Sequence, residues 1–176
     1  MNINYTLLAT SHFQLLLQWL EKPHVKAWWD QDIQYDLAKV EETFGKHIHD
    51  LPISGALTKL VYAYIVSINT IPVGYIQAYN PVSYADENPI DISQLPPSCG
   101  GIDMLIGDEA YIGKGLGSLI LSSFWQDIVS PHFDCCLVDP DSNNLRAIRA
   151  YEKAGFRVMN QLHQPGKTFL IIGAIS

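Results

Sequence analysis

Three stretches of this chain hold residue types and spacings that could do chemistry. The first is "YIGKGLGSLIL", residues 111–121, where Gly113, Gly115 and Gly117 alternate directly ahead of an apolar run. Glycine is the poorest helix former after proline, so this is either a loose turn or a backbone left bare for something to approach. A strand, a glycine-rich turn and a helix together make an anion site. Missing side chains admit phosphate oxygens to the backbone, and the helix N-terminus offers unpaired N–H groups and the positive end of a dipole. Lys114 adds a local charge. The pattern is neither GxxxxGK[ST] nor GxGxxG, and the turn follows a late strand rather than the first one.

The second stretch is "GIDMLIG", residues 101–107, with Asp103 inside an otherwise apolar strand. A carboxylate is costly to bury unpaired, so Asp103 faces a cleft or an ion partner. Strand alternation places Asp103 and Leu105 on one face, with Ile102 and Met104 on the other. The third stretch is "NLRAIRAYEKAGF", residues 144–156. Tyr151 shares a helix face there with Ala147 and Ala154. On residue type alone it is a core tyrosine; facing a site, its phenol is a proton donor.

The elements that must position these residues alternate between strand and helix. Residues 3–8, "INYTLL", read as a strand. Ser11 with Gln14 has capping-box spacing before "HFQLLLQWL", which stops near Pro23. A second helix is expected over about 33–50, where Leu37, Val40, Phe44, Ile48 and Leu51 recur every three or four residues. Strands at 60–67 and 73–79 form a hairpin through "INTIP". Residues 80–98 hold Pro81, Pro89, Pro96 and Pro97, which forbids a central strand or helix. Then come the strand 101–107, a helix over "GSLILSSFWQDIV", the strand "CCLVD" at 135–139 and a helix capped by Ser142 or Asn143 with Gly155 at its end. "FRVMN" and "TFLIIGA" are the last strands. One domain over residues 1–176 is expected.

Composition bounds the classes. Apolar residues make up 48% and charged residues 16% of 176, which supports a sizeable core and argues against disorder. The net charge of −7 argues against nucleic-acid binding and mildly favours a cationic partner, with solubility alone as the simpler account. No apolar run is long enough for a transmembrane helix, and "MNINYTLLATSHFQ" does not read as a signal peptide. Three cysteines, Cys99, Cys135 and Cys136, give neither a disulfide framework nor a zinc pattern, which fits a cytoplasmic setting. His12, His24, His47, His49, His132 and His163 are scattered, and no metal is assigned.

"GKGLG" and "N-x-x-A-x-x-x-Y-E-K-x-G-F" together resemble the GNAT superfamily of acyl-CoA-dependent N-acetyltransferases. The likeness is greatest to the aminoglycoside 6'-N-acetyltransferases. It extends to "QWLEKPHVKAWW", "PVGYIQAY", "GGIDMLIG" and "DPDSNNLRAIRAYEKAGF". The superfamily usually has Arg or Gln three residues before the middle glycine; this chain has Ile112, at a place served by backbone donors. The loop "QPGK" carries Lys167 and no acidic residue where the resemblance leads one to expect one.

The resemblance implies an α/β (α+β) fold: a mixed, mostly antiparallel sheet, splayed between its fourth and fifth strands and flanked by helices. It implies acetyl-CoA as cosubstrate. The pantetheine arm would pair with the backbone of Met104, Leu105 and Ile106. The pyrophosphate would rest on the turn from Ile112 through Gly113, Lys114, Gly115, Leu116 and Gly117 to Ser118, with Asn144, Ala147, Tyr151 and Lys153 contributing from the next helix. Asp103 would be the base that contacts the amine, and Tyr151 the acid for the leaving thiolate. Trp28, Trp29, Gln77, Tyr79, Asp86 and Asp139 would complete a cleft for a cationic amine, most readily an aminoglycoside. The protein would be a monomer or homodimer. A GNAT acting on another amine, or a non-catalytic acyl-CoA-binding module, are the alternatives.

Overall fold

A computed structural model describes residues 1–48, 61–81, 95, 98–159 and 165–173. Its seven strands are hydrogen-bonded in the order β1-β2-β3-β4-β5-β7-β6. In chain order the elements are β1 (Ile3–Leu7), α1 (Phe13–Leu20), α2 (Pro23–Lys26), α3 (Leu37–Phe44), β2 (Tyr62–Ile68), β3 (Ile71–Tyr79), β4 (Cys99–Ile106), α4 (Leu116–Phe124), β5 (Cys135–Val138), α5 (Leu145–Ala154), β6 (Arg157–Val158) and β7 (Leu170–Gly173). The sheet is mixed: β1 with β2, β5 with β7 and β6 with β7 are antiparallel, and β4 with β5 is parallel.

The chain divides into two compact units, and β3 and β4 each run from one into the other. The first comprises Met1–Ile53, Val61–Gln77 and Asp103–Lys114. Its α1 presents Phe13, Leu16, Trp19 and Leu20 at helical spacing, and all four are buried. They pack with Val40, Phe44, Ile65, Tyr75 and Leu105 in one apolar cluster. The hairpin between β2 and β3 turns on Asn69 and Thr70, tighter than the sequence indicates, with Asn69 at a φ of 58°.

Two helix starts in this unit differ from expectation. The Ser11 capping box does not form. A 3-10 turn over Thr10–His12 leads into α1 instead, and His12 Nδ1 accepts the Ala9 N–H at 3.0 Å. Helix α3 starts at Leu37 rather than near residue 33, because Asp36 caps it, accepting from the Lys39 N–H at 2.7 Å.

The second unit comprises Ser54–Leu60, Ala78–Ile102 and Gly115–Ser176. Cys99, Cys135, Leu137, Phe169 and Ile171 form a buried cluster here, and all three cysteines are free thiols. The parallel ladder of β4 with β5 covers Cys99–Gly101 against Cys135–Leu137 and ends there. Helix α4 gives way to a π-helical turn over Trp125–Val129. Helix α5 is capped by Asn144 and not by the expected Ser142 or Asn143: Asn144 Oδ1 accepts from the Ala147 N–H at 3.2 Å, and Asp141 Oδ1 accepts the Asn143 N–H at 2.8 Å. Gly155 ends α5 as expected. Among the described residues no helix is long and apolar enough to cross a membrane.

Candidate active site

Within the first unit, β3 and β4 bring Gln77 and Asp103 together. Strand alternation sends Tyr75 and Gln77 to one face of β3. The Gln77 amide donates from Nε2 to Asp103 Oδ2 at 2.7 Å. Gln77 Oε1 in turn accepts from the Tyr75 hydroxyl at 2.6 Å, and His47 Nδ1 lies 3.4 Å from that hydroxyl. The file His47–Tyr75–Gln77–Asp103 therefore ends on the carboxylate singled out in the sequence. Burial pushes the Tyr75 phenol well above its ordinary pKa, and the nearby Asp103 charge pushes it the same way, so its proton stays in place to be donated.

Aromatic rings pack on Tyr75. Trp29 meets the Tyr75 ring edge-on at 6.0 Å and Phe44 does so at 5.5 Å. Trp29 is half-buried, whereas its neighbour Trp28 is 41% exposed. The two adjacent tryptophans thus divide as their positions in a short turn require, one inward and one outward. Tyr35 packs on Phe44 and donates its hydroxyl to Asp30.

His24 fastens the end of β4. Its Nε2 lies 2.9 Å from the Ile106 carbonyl oxygen, and its Nδ1 lies 3.2 Å from Glu109 Oε1. The carbonyl of Ile106 thereby has a partner within its own unit. Met104 is half-buried and Leu105 is buried in the apolar cluster.

The glycine turn follows. Gly113 and Gly115 adopt left-handed conformations, with φ of 75° and 76°, and Gly115 is the N-cap of α4. A side chain is strained in that conformation, so glycine is required by the path of the chain before any ligand is considered. Gly117 differs, since it already lies inside α4. Ile112 is half-buried just before the turn. The Lys114 ammonium sits 5.7 Å from the centre of the Tyr111 ring.

In the second unit, Ser118 Oγ donates to the Gly115 carbonyl at 2.9 Å and Leu116 is buried. A Cβ built on Gly115 would lie 3.7 Å from Lys153 Nζ, so the α5 lysine stands over the turn. Tyr151 is buried, 8% exposed, with its ring edge-on to Phe156 at 5.6 Å. Tyr79 lies across the backbone of β4: a Cβ on Gly101 would meet its ring at 2.6 Å. Asp139 is paired with Lys167, whose Nζ is 3.6 Å from Asp139 Oδ2 and 3.3 Å from the Asp139 carbonyl. Burial pushes the Asp139 carboxyl up, and Lys167 pulls it part of the way back. Asp86 lies outside the described residues.

Sequence reasoning missed Tyr75, His24 and His47. The signal for Tyr75 was present in "YIQAY", where three polar-tipped residues alternate on one strand face. Nothing local marks His24 or His47, whose partners are distant in sequence. Among the described residues no cluster of three or more His, Cys, Asp or Glu side chains is placed to hold a metal.

Comparison with known proteins places this geometry in context. The acetyltransferase (GNAT) domain family matches residues 9–163. An aminoglycoside N(6')-acetyltransferase type 1 of Klebsiella pneumoniae is 33% identical over 164 residues, covering 90% of this chain and 76% of the relative. A kanamycin resistance protein of Rhizobium radiobacter is 36% identical over 73 residues, covering 41% of this chain and 68% of its own length. Among solved structures, the aminoglycoside acetyltransferase AAC(6')-Ib in complex with coenzyme A and kanamycin superposes with a TM-score of 0.79 at 27% identity, covering 98% of this chain and 95% of the other.

Proposed function

The chain belongs to the GNAT acetyltransferase family, and from that premise we propose that it transfers the acetyl group of acetyl-CoA to a primary amine of a cationic small molecule, the 6'-amine of an aminoglycoside. The reading takes residues 1–176 as one catalytic domain acting in the cytoplasm and conferring resistance to such antibiotics. What carries it is the bond from Gln77 to Asp103 at 2.7 Å, which fixes a carboxylate able to attract an ammonium on an otherwise apolar strand.

The reaction asks three things of this chain. The substrate ammonium must lose a proton, and Asp103 accepts it directly or through a water. The amine nitrogen then bonds to the acetyl carbon as the carbon–sulfur bond breaks, and it sheds its second proton to solvent; charge developing on the carbonyl oxygen is met by the Met104 or Leu105 N–H. The sulfur leaves with the bonding pair and takes a proton from the Tyr151 hydroxyl. The cosubstrate's pyrophosphate fits the turn from Gly113 to Ser118, because left-handed glycines at the start of α4 bare the backbone where a helix offers its N–H groups. Lys114 and Lys153 add positive charge there.

The Lys167–Asp139 pair favours a second reading, an amine carrying less charge than an aminoglycoside, since one carboxylate is already matched by a lysine. Release of free thiol from acetyl-CoA separates the two. Turnover with kanamycin that collapses in Asp103→Ala supports the aminoglycoside reading. Turnover only with other amines gives the second, and cofactor binding without turnover on any amine removes both.

A further inference from the structure

We propose that Tyr75 is a positioning residue for Asp103, acting through the side-chain amide of Gln77. The Tyr75 ring is fully buried and held edge-on by Trp29 at 6.0 Å and Phe44 at 5.5 Å. A fully buried ring packed against two others has little freedom to leave its rotamer, so its hydroxyl is delivered to one place, Gln77 Oε1, at 2.6 Å. A primary amide is an acceptor at one end and a donor at the other. Once its oxygen accepts the Tyr75 O–H, its NH2 is turned the opposite way, and there it donates to Asp103 Oδ2 at 2.7 Å. His47 Nδ1, 3.4 Å from the Tyr75 hydroxyl, stands at the far end of the file.

The consequence is orientational. An amide without a second partner turns about its terminal torsion, which is broad and poorly defined, and its bond to Asp103 Oδ2 loses its fixed direction. A reacting group must be kept within about 10–20° of its productive geometry. Tyr75 supplies that constraint without touching the substrate. The inference rests on acetyl transfer at Asp103, as proposed above.

Tyr75→Phe keeps the ring and removes only the hydroxyl. Its expected effect is a fall of about tenfold in kcat/KM for the amine, with the KM for acetyl-CoA unmoved. In a Gln77→Leu background the same change has no further effect, because the influence of Tyr75 travels through the amide. Equal losses in both backgrounds mean a merely structural tyrosine and overturn the proposal. Gln77→Leu alone, which leaves Tyr75 in place, must give the same split between the amine and acetyl-CoA constants. The cycle is read with whichever amine the protein acetylates, so failure on kanamycin disposes of the substrate and not of the positioning role. A second measurement needs no turnover. The Gln77 NH2 signals in a nitrogen–proton NMR spectrum, assigned by their loss in Gln77→Leu, should move toward free-glutamine values in Tyr75→Phe. If they stay where they are, Tyr75 does not position the amide.

Discussion

Lys167 holds Asp139: its ammonium lies 3.6 Å from the carboxylate and 3.3 Å from the backbone carbonyl of the same residue. Burial raises the Asp139 pKa above the usual aspartate value, and Lys167 opposes that rise. A carboxyl with a raised folded-state pKa binds its proton more tightly folded than unfolded. Its contribution to stability is therefore greatest at acid pH and is lost as pH rises from the ordinary aspartate value through the raised one.

Lys167→Met removes the opposing charge and raises that pKa further. The side chains are 42% and 26% exposed, so water screens the pair. The expected loss is about 1 kcal/mol at neutral pH and less at a pH acid enough to protonate Asp139. Urea denaturation at both pH values measures it. An equal loss at the two would show that Asp139 does not titrate in this window.

Asp103→Asn tests the base. The substitution keeps the size of the side chain and removes its capacity to take a proton. Turnover with the amine should fall by about 10²- to 10⁴-fold, while acetyl-CoA still protects the protein against thermal unfolding. Retention of full turnover would assign the proton to another group.

Gly115→Val tests the phosphate cradle. A valine at a φ of 76° is strained, and its Cβ points toward Lys153 Nζ, 3.7 Å away. The backbone cost is about 1–2 kcal/mol. In the protein that remains folded, the KM for acetyl-CoA should rise far more than that for the amine. Parallel changes in both constants would remove the turn from the cofactor site.

Tyr151→Phe separates the acid from the core residue. The buried ring and its edge-on contact with Phe156 survive the change, so the fold should be retained in circular dichroism. Loss of the proton donor should lower kcat by about 10²-fold or more, with both KM values near their starting points. A drop in stability with kcat intact would identify an ordinary core tyrosine.

Gly101→Ala tests the placement of Tyr79. The added methyl would lie 2.6 Å from the Tyr79 ring, inside van der Waals contact. Overpacking of this kind costs about 1–3 kcal/mol. Gly101→Ala with Tyr79→Ala should recover part of that loss in chemical denaturation, and strict additivity would contradict the contact.

Much of the fold was legible because its signals are local. Strand alternation gave β1, β3 and β4 to within two residues at each end, and helical periodicity gave α1 and α5. Boundaries slipped at helix starts, where several candidate caps stand close together. Asn144 caps α5 by accepting the Ala147 N–H, while Asp141 accepts the Asn143 N–H in the turn before it. Asp36 sets the start of α3 by accepting from Lys39, so the helix begins where the apolar repeat itself begins, at Leu37, and not near residue 33.

The sequence alone determined the glycine turn ahead of α4, the carboxylate inside an apolar strand and the helix bearing Tyr151, since each depends on residues within one or two turns of each other. Only the tertiary structure decided which groups those residues meet. Gln77 and Asp103 are 26 positions apart, and the Asp139–Lys167 contact spans 28. Such pairs are created by strand register, in which a shift of one residue sends every side chain to the opposite face. The residues around Asp103 show that it needs partners; the pairing of β3 with β4 supplies Gln77 as one of them, with Tyr75 behind it.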